Sequence, residues 1–167
     1  MKNNTRKIVL AALFAALCCV FTMIIKIPSP MKGYLNLGDC AVLLSGWTLG
    51  GVYGFLAAAI GSALADVFSG YALYAPATFV IKGLVALVAY LLHRAIAIKS
   101  DILSKICAAV VAELVMVAGY YVFEGFLYGF AESLVNIPSN MAQGAAGIIL
   151  GVILSVIVDK IREKNGF

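Results

Sequence analysis

The chain has 167 residues, 63% of them hydrophobic and 12% charged, with a net charge of +4. Apolar runs recur along almost its whole length, which excludes a soluble domain and marks a polytopic membrane protein. Six spans of about 20 residues would occupy roughly 120 positions, leaving short loops and tails and no room for an attached ATPase.

The first span is expected over residues 7–26. It has the basic start of a signal peptide, but the run Ile8 to Ile25 is longer than a usual apolar core and is followed by Lys26 and prolines, not by an A-x-A cleavage site, so it reads as a retained helix. Ala11, Ala12, Ala15 and Ala16 form two overlapping small-xxx-small pairs, which let a partner helix approach closely in lipid. That partner is either another helix of this chain or a separate membrane subunit.

Ile27 to Gly38 carries Pro28, Pro30, Gly33 and Gly38 and is expected to be a loop. Next comes Asn36 to Pro76, too long and apolar for one span and broken by Gly46, Gly50, Gly51 and Gly54. It is expected to fold back at the glycines into spans over residues 39–48 and 51–68, with Asp39 and Asp66 at the open end facing one aqueous side. Asp39 reads as the N-cap of the second span. Gly54, Ala58, Gly61 and Ala65 give the third a smooth face.

Ser69 to Pro76 forms a second outer loop with Tyr71 and Tyr74, and Pro76 suits the first turn of a fourth span over residues 77–95. On it Thr78, Lys82, Val85, Ala89 and His93 fall on one stripe. His93, Arg94, Lys99 and Lys105 mark a basic loop, where a catalytic role for His93 is not expected. The fifth span, residues 102–128, carries the stripe Glu113, Val117, Tyr120, Glu124 and Tyr128. A turn at Asn136-Ile137-Pro138-Ser139 opens the sixth, residues 138–160, on which Asn140, Gly144, Gly147 and Gly151 share a face bordered by Gln143.

Nine of the twelve Lys and Arg residues fall in the tails and the loop after the fourth span, leaving Lys26, Lys32 and Lys82 for the other side. The positive-inside rule then makes both termini cytoplasmic and puts the Asn36, Asp39, Asp66, Tyr71 and Tyr74 end outside. Cys18, Cys19, Cys40 and Cys107 match no metal or haem spacing and read as packing residues. With no nucleophile–base pair and no metal cluster, no catalytic site, metal, cofactor or nucleic-acid partner is expected.

The order of an Ala-rich first helix, a Pro/Gly loop, NLGD, LLSGWTLGGVYGFLAAAIGSALADVFSGY, YAPATFVIKG and a final NIPSNMAQG resembles the substrate-binding S components of energy-coupling factor (ECF) vitamin transporters, over nearly the whole chain. It is most similar to the branch containing riboflavin, pyridoxine-related and hydroxymethylpyrimidine carriers. The resemblance implies an all-α, six-span protein of the prokaryotic plasma membrane that binds a vitamin or precursor outside the cell. It would deliver this cargo with a membrane T component and two cytoplasmic ATPases; this chain has no phosphate-loop motif of its own.

The same resemblance assigns Ala11, Ala12, Ala15 and Ala16 to T-component docking, Tyr34, Leu35 and Asn36 to a lid, and Lys82, Tyr120, Glu124, Asn140 and Gln143 to the remaining pocket. Beside it stand the plainer readings. Lys82 either contacts ligand or forms an ion pair with Asp66 or Glu124, because ionisable groups within spans need a partner or a wet cavity. Glu113, deeper, is a packing carboxyl or a weaker ligand candidate. Asn140 and Gln143 suit the nitrogens and hydroxymethyl groups of a pyridine or pyrimidine, or else join helices through hydrogen bonds. Tyr34, Tyr71, Tyr74, Tyr120 and Tyr121 would stack on a heterocycle or form an interfacial belt, the belt being preferred for Tyr71 and Tyr128. A self-associating small channel or structural membrane subunit is the alternative function.

Overall fold

The computed structural model describes residues 2–29, 33–96 and 100–164, with all their side chains except those of Lys2, Asn3 and Arg162. Pro30, Met31, Lys32 and Lys99, and the side chains of Lys2 and Arg162, therefore lie outside the described residues. The elements are α1 (Lys2–Ile24), a two-stranded ladder of β1 (Ile27–Pro28) and β2 (Tyr34–Leu35), α2 (Gly38–Leu49), α3 (Gly51–Phe68), α4 (Ala75–Ala95), α5 (Asp101–Tyr128), the single turn α6 (Phe130–Ser133), a 3₁₀ turn (Leu134–Asn136) and α7 (Ile137–Lys164).

The fold is all-α, and five of its helical segments are long and apolar enough to cross a membrane. Of the six expected spans the short one is α2, with 12 residues. At 1.5 Å per residue it is about 18 Å long, well short of a bilayer core of about 30 Å. It packs against α1, α3, α4 and α7, and Gly38 through Gly46 are all buried. A helix enclosed by other helices need not match lipid thickness, and its all-round apolarity suits that position.

The fold-back after α2 occurs at Gly50, whose φ of 68° lies in the left-handed region and whose Cα faces the Tyr90 ring so closely that a Cβ would sit 2.8 Å from it. Glycine is needed there for conformation and space alike. Farther along, Gly61 meets the backbone of Ala15 and the Cys18 side chain, bringing α3 onto α1. Val42, Leu43, Val85, Ala89 and Met116 fill the core between α2, α4 and α5, and Cys18 and Cys40 are buried within the same packing.

Three local expectations change. Asp39 is not the N-cap of α2: Leu37 occupies that position without a side-chain cap bond, while Asn36 Oδ1 accepts from the Gly38 N–H at 2.8 Å. The Asp39 carboxylate turns inward to a cation instead. Lys105 is not part of a loop; it is buried on α5, bonded to Asp101 at 2.7 Å and paired with Asp159. Between α5 and α7 the chain makes α6 and a 3₁₀ turn in place of a simple turn. Gly129, with φ of 107°, ends α5, and the Phe130 ring folds back onto Tyr121 at 5.8 Å.

Candidate ligand-binding site

The ladder that follows α1 closes over the end of the bundle where α3, α4, α5 and α7 converge. Ile27 pairs with Leu35 and Pro28 with Tyr34, and the Ser29 N–H donates to the Gly33 carbonyl at 2.9 Å. Proline is tolerated here because a two-stranded ladder has free edges. On one side Tyr34 donates its hydroxyl to Asp66 Oδ1 at 2.7 Å and packs tilted against Tyr71, ring centroids 4.7 Å apart. Burial, with the Asp66 carboxylate second, pushes the Tyr34 phenol above its ordinary range, so it remains a donor. On the other side the Asn36 N–H and Nδ2 donate to Gln143 Oε1 at 3.0 and 3.3 Å.

Beneath this lid lies a pocket walled by Asn36, Tyr120, Glu124, Asn140 and Gln143, with Tyr34 above. These are residues the sequence reading placed together, drawn from the lid, α5 and α7. Leu35, half-buried in the ladder, is not in the described wall. The free volume is about 30 Å³, room for a water or so, whereas ligand pockets run to hundreds of cubic ångströms. No ring-sized molecule fits within that volume.

Lys82 lies below the pocket and is ion-paired with Asp39, not with Asp66 or Glu124. Gln143 Nε2 donates to Asp39 Oδ2 at 2.7 Å, and the Lys82 ammonium sits 5.5 Å from the centre of the Tyr120 ring. The lid backbone, Gln143, Asp39 and Lys82 thus form one polar chain from the rim into the core. Asp39 and Asp66 are both buried, so the end of the hairpin is not an open acidic mouth. The reason is that each carboxylate has a donor close by in the fold, and a paired buried charge is tolerated where an unpaired one is not.

Sequence reasoning left Asp66 and Thr78 out of the site and gave Tyr71 to an interfacial belt, yet all three line the pocket with Tyr74. Thr78 shares a hydrogen bond with Tyr120 at 3.0 Å; its place on the Lys82 stripe was the available signal. Glu124 accepts from Asn136 Nδ2 at 2.9 Å on each oxygen and from Tyr74 at 3.4 Å. Tyr121 instead packs against Phe130. Glu113 is buried beside Gly144, next to a cavity of about 150 Å³, and neither of its oxygens has a hydrogen-bond partner among the described residues.

A second concave surface runs along α1 and α3. It is an apolar groove of about 630 Å³ lined by Ala11, Ala12, Ala15 and Ala16 together with Tyr53, Leu56, Ile60 and Leu64. Ala12 and Ala16 are exposed, while Ala11 and Ala15 are half-buried.

The sequence pattern of the ECF-type riboflavin transporter S component matches residues 2–160. The chain belongs to this family. It is accordingly a multi-pass cell-membrane protein, the S component of a transporter for a vitamin-type substrate and not itself an enzyme. An uncharacterised protein of Pyrococcus woesei, from the gap 3' region, is 35% identical over 142 residues, covering 84% of this S component and 93% of the relative. The thiamine precursor transporter HmpT of Lactococcus lactis subsp. cremoris is 24% identical over 167 residues, covering 99% and 95% respectively. The solved S component of a bacterial ECF transporter shares the fold with a TM-score of 0.76 and 24% identity, over 95% of this chain and 98% of that one.

Proposed function

We propose that this S component captures a small water-soluble vitamin or precursor outside the cell, of the hydroxymethylpyrimidine or pyridoxine-related kind in preference to riboflavin, and delivers it inward. The observation that carries the reading is the small polar pocket held shut by Tyr34 and Asn36. Asn36, Tyr120, Glu124, Asn140 and Gln143 contact the ligand, while Lys82 acts from beneath by fixing Asp39 and, through it, Gln143. The likeness to HmpT along the whole chain supports a precursor-sized cargo.

In this reading α2 completes six spans, and the distribution of Lys and Arg places both termini in the cytoplasm. A membrane T component docks on the groove of α1 and α3, and two cytoplasmic ATPases drive reorientation until the pocket opens inward. Calorimetry of the purified protein against a panel of B vitamins and precursors tests capture, and micromolar or tighter binding of one of them is expected. Co-purification tests delivery: a T component and ATPases should accompany the chain. A homo-oligomer that binds none of the panel would overturn the reading in favour of a channel or structural subunit.

A further inference from the structure

We infer that Asp66 is the ligand's anchoring group, and that the site selects a flat ring carrying an amino group or a basic ring nitrogen while rejecting anionic esters of the same ring. This deepens the transport reading above and rests on it.

The balance of charge around the pocket comes first. Asp39 and Lys82 neutralise each other beneath the floor. Asp66 and Glu124 remain at the wall, and no Lys or Arg lines the pocket among the described residues. Lys26 is exposed, donates to Ser69 at 3.0 Å and lies 5.9 Å from the centre of the Tyr34 ring, outside the pocket lining. Along its described lining the pocket therefore presents carboxyl groups and no ammonium or guanidinium, a wall that favours a donor over a phosphate.

The two wall carboxylates are not equivalent. Asn136 and Tyr74 engage Glu124. Asp66 is 5% exposed and accepts from Tyr34 on Oδ1; the Thr78 hydroxyl is its other polar neighbour, yet Oδ2 makes no hydrogen bond of ordinary length among the described residues. Buried polar atoms in folded proteins nearly always have a partner, so an orphaned carboxylate oxygen in a pocket wall marks the place of an N–H or O–H that arrives with the ligand. An ionised carboxylate accepts only, and a charged or polarised N–H gives the stronger bond.

Gln143 points to the same chemistry. Its NH₂ is committed to Asp39 at 2.7 Å, so its Oε1 is the atom offered toward the lid, where Asn36 now occupies it. Lid opening exposes a second acceptor across the pocket from Asp66. Tyr34, Tyr71 and Tyr120 supply the aromatic faces between them, suited to a flat and partly cationic ring. A flavin can offer Asp66 only its neutral imide N–H or a ribityl hydroxyl, the weaker kind of donor, and a phosphate ester adds the wrong charge.

The test is calorimetric titration of the full chain in lipid nanodiscs with three probes: the amino-substituted hydroxymethylpyrimidine, its phosphate ester, and riboflavin. The aminopyrimidine should bind, with the ester weaker by about 100-fold or more. Asp66→Asn keeps an acceptor for Tyr34 but replaces the orphaned oxygen by a donor, and should weaken aminopyrimidine binding about 30-fold. Tyr34→Phe, which removes only the lid bond, should weaken it less. If Asp66→Asn does not assemble, the three-probe comparison on the unmodified chain decides alone. Riboflavin or the ester binding as tightly as the aminopyrimidine, or an unaltered affinity in Asp66→Asn, overturns the inference and leaves the transport reading in place. Failure of all three probes and of the wider vitamin panel overturns both.

Discussion

Asp39 on α2 and Lys82 on α4 form an ion pair sealed inside the bundle, their side chains 0% and 4% exposed. Removing one partner strands the other as an uncompensated buried charge, at a cost of about 3–5 kcal/mol. Lys82→Ala should therefore lower the thermal midpoint in detergent markedly. The double variant Lys82→Met with Asp39→Asn removes both charges and leaves an acceptor for Gln143, so it should be more stable than Lys82→Ala. The opposite order would show that the pair contributes little.

Gln143 joins the lid to that pair, accepting from Asn36 and donating to Asp39. Gln143→Leu keeps the volume but removes both functions. Each lost hydrogen bond is worth about 0.5–1.5 kcal/mol, so ligand affinity should fall about tenfold or more. Because the lid also loses its hold on α7, most of the loss should appear in the dissociation rate. A loss confined to the association rate would separate Gln143 from the lid.

The opposite side of the lid rests on Tyr34 and Asp66, 2.7 Å apart. Tyr34→Phe should speed ligand release about tenfold, the scale of a hydrogen bond to a charged group. The pH dependence follows from the sign of the shift. Burial and the adjacent carboxylate hold the phenol above its ordinary value, so its proton is fully present below about pH 10 and is lost only as pH rises through the higher value of the closed state. Loss of the phenol proton should therefore contribute nothing to release between about pH 6 and about pH 9. Release that accelerates with rising pH within that window in the native chain but not in Tyr34→Phe would contradict the assignment.

The long helices were legible because apolar runs and their breakers are local signals. The expected fifth span opened at residue 102, and α5 begins at Asp101; the glycines after Trp47 marked the fold-back now seen at Gly50. The partner of Lys82 was not legible, since Asp39 lies 43 residues away and the cap role suggested by its position at the start of a helix was the stronger local reading. Asp66 and Tyr71 were misplaced for the same reason. An acid and a tyrosine near a helix end look identical in sequence whether they meet water or a lid, and only Tyr34, brought over by a ladder of two residues per strand, distinguishes the cases. On α5 and α7 the shared faces were legible from helical spacing: Tyr120 with Glu124, and Asn140 with Gln143, lie about one turn apart and line the same pocket.

Glu113 allows a prediction about stability alone. Its carboxyl is buried between α5 and α7 with neither oxygen hydrogen-bonded among the described residues, and a buried polar group in that state costs about 1–3 kcal/mol. Glu113→Met has similar length, no polar atoms and enough flexibility to fit against Gly144 and the adjoining cavity. It should raise the thermal midpoint while leaving ligand affinity unchanged. A lower midpoint, or a change in affinity, would show that the carboxyl has a use in the folded protein.

The alanines of α1 do not all do the same work. Ala15 lies against Gly61, so enlarging it would push α3 away, whereas Ala12 and Ala16 are exposed on the groove formed with α3. Ala12→Leu with Ala16→Leu should fill that groove without disturbing the pocket walled by the lid, α5 and α7. Ligand affinity measured by calorimetry should stay within about twofold, a few tenths of a kcal/mol, while uptake into cells and co-purification of partner subunits should be lost. Gly61→Val is the matched control for internal packing: with a Cβ only 2.8 Å from Cys18 it should destabilise the fold by about 1–3 kcal/mol, lowering binding and uptake together. If the double leucine variant loses binding in the same proportion as uptake, the groove is an internal packing surface and the docking site lies on another face.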